Sequence, residues 1–190
     1  MQRSASSEET FRLVYDHVYP IIFRIAHRIT DSVDVAEELC QEAFIKYYER
    51  VDMFPDRDQA KYWLIRVTRN MALNVAKRAS RERKAYERIY HEPQRVAKTG
   101  EDRVIRDEEA VQVQAALQRL PEKLRSVLVL KEYGDLNYKE IASILSITEG
   151  NVKVRVFRAR ERLMEILKED RVDDAEVGKM VSDDKDVNET

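Results

Sequence analysis

The sequence predicts an all-α protein: two small helical domains joined by a linker. Three observations carry this expectation. Among 190 residues there are only four Gly and four Pro, while helix-favouring Ala, Leu, Glu, Lys and Arg are abundant. Apolar side chains recur at helical spacing through two long stretches. Between them, His91-Glu92-Pro93 and Lys98-Thr99-Gly100-Glu101-Asp102 are polar, contain breakers and lack an apolar period. With 43% hydrophobic and 37% charged residues, the chain can bury cores, but not one large one.

The first domain is expected over residues 8–90. Phe11, Val14, Tyr15, Val18, Ile22, Ile25, Ala26 and Ile29 follow helical spacing, and Pro20 within them predicts a kink or a break. Asp31 to Asp34 reads as a polar turn. A second helix runs from Val35 to about Val51. It has Ala36, Leu39, Cys40, Ala43, Phe44 and Tyr47 on one side, and Glu37, Glu38, Gln41, Glu42 and Lys46 on the other. Asp52 to Asp58, with Pro55 inside, reads as a loop. A third helix starts near Gln59 and runs through Trp63, Leu64, Val67, Met71 and Val75. It then turns basic at Lys77, Arg78, Arg81, Arg83 and Lys84. Trp63 continues the apolar series with Val67 and is expected in the core.

Residues 91–106 are the linker. The second domain is expected over 107–168, as four helices covering 107–119, 121–133, 138–145 and 149–168. Pro121 suits the first position of its helix, where a missing N–H costs nothing. Gly134-Asp135 closes that helix. Asn137, with Glu140 three residues on, forms a capping-box pattern. The acidic tail, 169–190, has few large apolar groups and is expected to be disordered.

Composition excludes several classes. A lone cysteine, Cys40, permits no internal disulfide and no cysteine-based zinc cluster; it reads as a small helix residue. The N-terminus lacks the apolar core of a signal peptide, and no apolar run approaches the roughly 20 residues of a membrane span. A cytoplasmic protein without membrane insertion is expected. His17, His27 and His91 are scattered. Neither paired carboxylates, a phosphate-cradling glycine loop nor a nucleophile setting is apparent, so the chain does not read as an enzyme and implies no metal, cofactor or small-molecule substrate.

The net charge of −2 conceals an uneven distribution. Arg66 to Lys84 carries seven Lys/Arg against Glu82 alone, and Lys153 to Lys168 carries six against two acids. Residues 169–190 carry nine acids against three bases. Two basic stripes and an acidic tail fit polyanion binding by particular faces.

The segment Tyr138 to Val152 reads as a helix-turn-helix. Ala142 is small where two helices cross closely. Ile141, Leu145, Ile147 and Val152 lock the crossing. Ser146 takes the turn position where Gly is commoner, and Thr148 can cap the second helix. That helix would enter a major groove N-terminus first. Val152, Val156 and Leu163 fall on its packed face. Asn151, Lys153, Val154, Arg155, Phe157, Arg158 and Arg160 are the candidate DNA-facing residues, because basic groups neutralise phosphates and Arg can read guanine.

Here the chain resembles the extracytoplasmic-function group of bacterial sigma factors (sigma-70 family, group 4). The resemblance lies in Leu117-Gln118-Arg119-Leu120-Pro121 through Phe157-Arg158-Ala159-Arg160, in Val35-Ala36-Glu37-Glu38-Leu39-Cys40-Gln41-Glu42-Ala43-Phe44, and in Trp63-Leu64-Ile65-Arg66-Val67-Thr68-Arg69-Asn70. These cover most of residues 10–165 in the family's order. The resemblance implies a transcription initiation factor that binds core RNA polymerase, directs it to promoters and assists melting.

It places Glu37, Glu38, Gln41 and Glu42 on the polymerase beta-prime clamp, and the second domain near the beta flap. It places Arg66, Arg69, Asn70, Asn74, Lys77 and Arg78 at the minus-ten element, with Phe54 to Asp58 walling a pocket for a flipped base. The helix-turn-helix would take the minus-thirty-five element, and the linker, through Arg95, Lys98, Glu101 and Asp102, would thread toward the active centre. An anti-sigma partner is also implied. Thr68, Asn74 and Val154 depart from the family's usual Ala, Asp and small polar residue, which leaves the promoter sequence open. Alone, the helix-turn-helix would equally fit a dimeric regulator on a palindrome, a reading that leaves the two N-terminal patterns unexplained.

Overall fold

A computed structural model describes the backbone of residues 5–90 and 108–183, and the side chains of 8–86 and 109–170. The expected linker and the last seven residues lie outside the described residues. Among these the chain is entirely helical apart from turns: α1 (Ala5–Thr30), α2 (Val33–Tyr48), a 3-10 turn at Val51–Met53, α3 (Arg57–Tyr90), α4 (Glu108–Arg119), α5 (Glu122–Tyr133), α6 (Tyr138–Leu145) and α7 (Glu149–Asp183). This is the all-α architecture that the helical spacing predicts.

Helices α1, α2 and α3 pack on one another. Val14, Val18, Ile22, Ile25, Ala26 and Ile29 of α1 are buried against the apolar side of α2, where Ala36, Leu39, Cys40, Ala43, Phe44 and Tyr47 are all buried as their spacing requires. Tyr15 is the exception in its series and stays partly open. It sits instead in a ladder of α1 rings, Phe11, Tyr15, Tyr19 and Phe23, spaced one turn apart with neighbouring centroids 5.2–6.2 Å away. Such ring pairs add to simple area burial.

Pro20 neither breaks α1 nor ends it. Its ring is exposed, so the steric conflict falls on the solvent side. Burial of Val18, Ile21, Ile22 and Ile25 on the opposite side outweighs one lost backbone hydrogen bond. Ser32 caps α2 by accepting from the Val35 N–H at 3.3 Å. Asp56 caps α3 by accepting from Gln59 N–H at 2.8 Å, which starts the helix slightly before Gln59. Within α3, Ala60, Leu64, Ile65, Thr68 and Ala72 are fully buried, while Trp63, Val67, Met71 and Val75 pack half-buried around them. Trp63 lies against Phe54, with centroids 5.3 Å apart.

Helices α4 to α7 form the second unit. Ala116, Leu117, Leu120, Leu128, Ala159 and Ile166 make a small core of their own. Pro121 is the N-cap of α5 rather than its first residue, with φ −53° and ψ 139°; a locked φ and extended ψ serve that position equally well. Gly134 ends α5. A Cβ there would lie 2.5 Å from the Leu130 carbonyl oxygen and 3.0 Å from Leu136 Cδ1, so this close return of the chain requires glycine. Helix α7 continues through the acidic stretch to Asp183, whereas disorder from 169 was expected. No Pro interrupts the stretch, and Arg119 of α4 pairs with both Glu169 and Asp170.

The two units do not stand apart. Val127, Val129, Leu130, Leu136, Ile141, Ala142 and Ile144 belong to the same continuous apolar cluster as the α1–α3 core. Helix α1 touches α4 and α5, and α3 touches α6.

Candidate nucleic-acid and polymerase interfaces

The helix-turn-helix is built by local chemistry. Asn137 accepts from the Glu140 N–H at 3.0 Å, and Glu140 accepts from the Asn137 N–H at 2.7 Å, completing a reciprocal capping box. Ser146 ends α6 in the left-handed region, φ 54° and ψ 46°, where most residues are strained. That turn lets Ile147 N–H reach the Ala142 carbonyl at 3.0 Å. Thr148 Oγ1 accepts from Asn151 N–H at 3.2 Å and caps α7. Ile141, Ala142 and Val152 are buried, and Leu145 and Ile147 pack beside them. The crossing is therefore closed by the residues its spacing nominated.

Burying Val152, Val156 and Ala159 fixes what α7 shows to solvent. Asn151, Lys153, Val154, Phe157, Arg158 and Arg160 are exposed, and Arg155 is half-buried. Phe157 is 62% and Val154 47% exposed, so this face offers apolar as well as basic groups. Lys153 pairs with Glu149 at 2.9 Å, and Arg160 with Glu132 at 2.7 Å. These carboxylates hold both cations above their ordinary pKa.

On α2, Glu37, Glu38, Gln41 and Glu42 are all exposed. Lys46 pairs with Glu42. Sequence reasoning missed Ile45, which is 61% exposed and lies one turn after Gln41 on this acidic side. The signal was available: an isoleucine at a polar position of the helical period. Cys40, on the other side, is buried, and burial pushes its thiol up to about 12, which fits a structural role.

The α3 residues divide between two directions. Asn70, Asn74 and Arg78 are exposed, with Arg78 bonded to Glu82 at 2.8 Å. Arg66, Arg69 and Lys77 turn toward the second unit. Arg66 Nη2 donates to the Ser143 carbonyl at 2.9 Å, Arg69 Nε donates to Ser126 Oγ at 2.6 Å, and Lys77 pairs with Glu122 at 3.0 Å. Burial lowers the pKa of the Arg69 guanidinium, with Glu122 opposing it. One turn before Arg66, the Tyr62 hydroxyl donates to Glu140 Oε1 at 2.6 Å. That bond, with burial, pushes the phenol up to about 12. Burial alone would raise the pKa of Glu140; the Tyr62 hydroxyl, the Asn137 N–H and Lys61 outweigh it and leave the carboxyl below its usual value. Among the described residues no helix is long and apolar enough to cross a membrane, and no cluster of metal-ligating side chains occurs.

Family comparison covers both units. The profile for sigma-70 region 2 matches residues 14–82, and that for sigma-70, region 4 matches residues 110–163. The RNA polymerase sigma-H factor of Pseudomonas aeruginosa is 34% identical over 160 residues, 80% of this chain and 81% of that protein. The chain belongs to the extracytoplasmic-function sigma factors. The factor SigW of Bacillus subtilis is 29% identical over 182 residues, 88% of this chain and 94% of that protein.

The fold agrees. The sigma factor RpoE of Bartonella quintana, solved with the anti-sigma factor NepR, superposes with a TM-score of 0.62 at 26% identity, over 83% of this chain and 96% of that one. CnrH, solved with the cytosolic domain of CnrY, shares the fold at a TM-score of 0.64 and 21% identity, over 86% and 90%. This sigma factor is thus a transcription initiation factor that binds core RNA polymerase and promoter DNA. The region 2 match spans most of α1, all of α2 and α3 as far as Glu82, and the region 4 match spans the helix-turn-helix.

Proposed function

We propose that three surfaces divide the work of initiation. The face of Glu37, Glu38, Gln41 and Glu42 docks on the beta-prime clamp of core polymerase, with Ile45 as an apolar anchor. The α3 side chains Arg66, Arg69, Asn70, Asn74, Lys77 and Arg78 take the minus-ten element. Their cations hold phosphates and their amides meet unpaired bases, which helps to offset the few kcal/mol, roughly, of extruding a base. The exposed α7 face, Asn151 to Arg160, reads the minus-thirty-five element in the major groove, beside the beta flap.

The single observation that carries this reading is the capped helix-turn-helix presenting an exposed basic α7 face. Domain limits of 8–90 and 107–168 fit the same division. A cytoplasmic site of action follows from work on polymerase. Because a structural relative is solved with an anti-sigma factor, a partner of that kind is expected for this chain.

Run-off transcription with purified core polymerase on genomic DNA fragments tests the reading. New start sites should appear only when this protein is added, and their upstream sequences should share two spaced elements. A footprint on a palindrome without polymerase would instead favour a dimeric regulator.

A further inference from the structure

Helix α7 shows solvent more than cations. Val152, Val156 and Ala159 are buried. At about 100° per residue, the position opposite them is Val154, with Phe157 to one side and Arg158 to the other. Val154 is therefore at the centre of the exposed face. The cations at its margins are already engaged, Lys153 with Glu149 at 2.9 Å and Arg160 with Glu132 at 2.7 Å. Neither Val154 nor Phe157 joins either apolar cluster of the protein. A lone exposed valine calls for no explanation. Two open apolar side chains at the centre of a face whose neighbours, Asn151 and Arg158, are hydrogen-bonding groups do.

The major groove offers one methyl group at a base edge, that of thymine; the other bases present hydrogen-bond donors and acceptors there. Valine and phenylalanine side chains can neither donate nor accept. Pressed against guanine, adenine or the cytosine amino group, either would cover a polar atom without pairing it, which is unfavourable. Against thymine, apolar surface meets apolar surface. Three residues along α7 advance about 4.5 Å, near the roughly 3.4 Å rise of one base step, so the two side chains meet neighbouring base pairs.

We propose that α7 reads thymine through its methyl group: Val154 and Phe157 pack on the 5-methyl groups at neighbouring steps of the minus-thirty-five element, while Asn151 and Arg158 meet polar edges or phosphates beside them. This rests on the reading of α7 given above and adds to it the bases preferred. The recognised group is the methyl rather than the whole base. 5-Methylcytosine at the same step presents that methyl and is therefore favoured over cytosine.

The test uses the full chain with core polymerase, on a promoter recovered by run-off transcription, and reads affinity by competition between promoter fragments. Each thymine of the upstream element is replaced in turn by uracil, which removes the methyl and nothing else. At two neighbouring steps this should weaken binding about fourfold, the worth of one buried methyl group. Cytosine at those steps should weaken it about tenfold or more, and 5-methylcytosine should recover about fourfold of that loss. Val154→Ser should abolish the uracil effect at one step and Phe157→Ala at the other, each with the melting midpoint of the free protein unchanged. An upstream element without thymine, uracil that costs nothing, or uracil effects that both variants leave intact would each overturn methyl reading. Arg158→Ala separates the two levels. If it still weakens binding by an amount that differs between promoters, α7 remains the reader through polar groups alone; if it too has no effect, the placement of α7 on this element falls as well.

Discussion

Thr68 is fully buried in the middle of α3, and its hydroxyl has no hydrogen-bond partner among the described residues. A buried hydroxyl left unpaired costs about 1–3 kcal/mol by mutational data. Valine has nearly the same shape with a methyl in place of the hydroxyl. Thr68→Val should therefore stabilise the free protein by about 1 kcal/mol, read as a higher midpoint in thermal unfolding; a lowered midpoint would show that the hydroxyl has a partner after all. Arg158 tests the other kind of residue. It is exposed on α7 and no described carboxylate pairs with it, so its donors are available. Arg158→Ala should weaken promoter-dependent transcription by about 1–3 kcal/mol if it meets a base edge, and the loss should differ between promoters. A uniform loss would make it a phosphate contact.

Among the elements, α6 and the start of α7 were the most legible. Their capping box, their left-handed turn and their cap at Thr148 each depend on residues within a few positions, so local spacing encodes them. Even the Ser146 departure reads correctly, as a non-glycine residue carrying a left-handed φ of 54°. Helix α1 was legible in its core positions and not in its continuity, because the burial that holds Pro20 within a helix comes from α2 and α3. On α2, the polar face was legible, and Ile45 was marked on it only by being an isoleucine at a polar position of the helical period. If Ile45 anchors the polymerase contact, Ile45→Glu should reduce co-purification with core polymerase several-fold while leaving the helical content and melting midpoint of the free protein unchanged. An apolar group buried at the centre of an interface outweighs its charged rim, so Glu42→Gln should have the smaller effect.

At the scale of the whole molecule, the contacts that join the units could not be read from the chain. Arg69 and Ser126 are 57 residues apart, Arg66 and Ser143 77, and Tyr62 and Glu140 78; no period inside one segment encodes such a pair. Their energetic consequence is cooperativity. Ile25 and Ile29 of α1 share one apolar cluster with Val127, Leu130 and Ile141 of the second unit, so loss of packing on one side is felt on the other. The second unit also keeps Leu117, Leu120, Leu128 and Ile166 in a core that the first unit does not enter. Ile25→Ala removes a fully buried side chain and should cost about 2–5 kcal/mol. In the free protein that cost should lower a single melting transition and reduce amide protection in α5 and α6 as well as in α1. Two resolved transitions, with α5 and α6 protection untouched, would mean that the shared cluster does not couple the units.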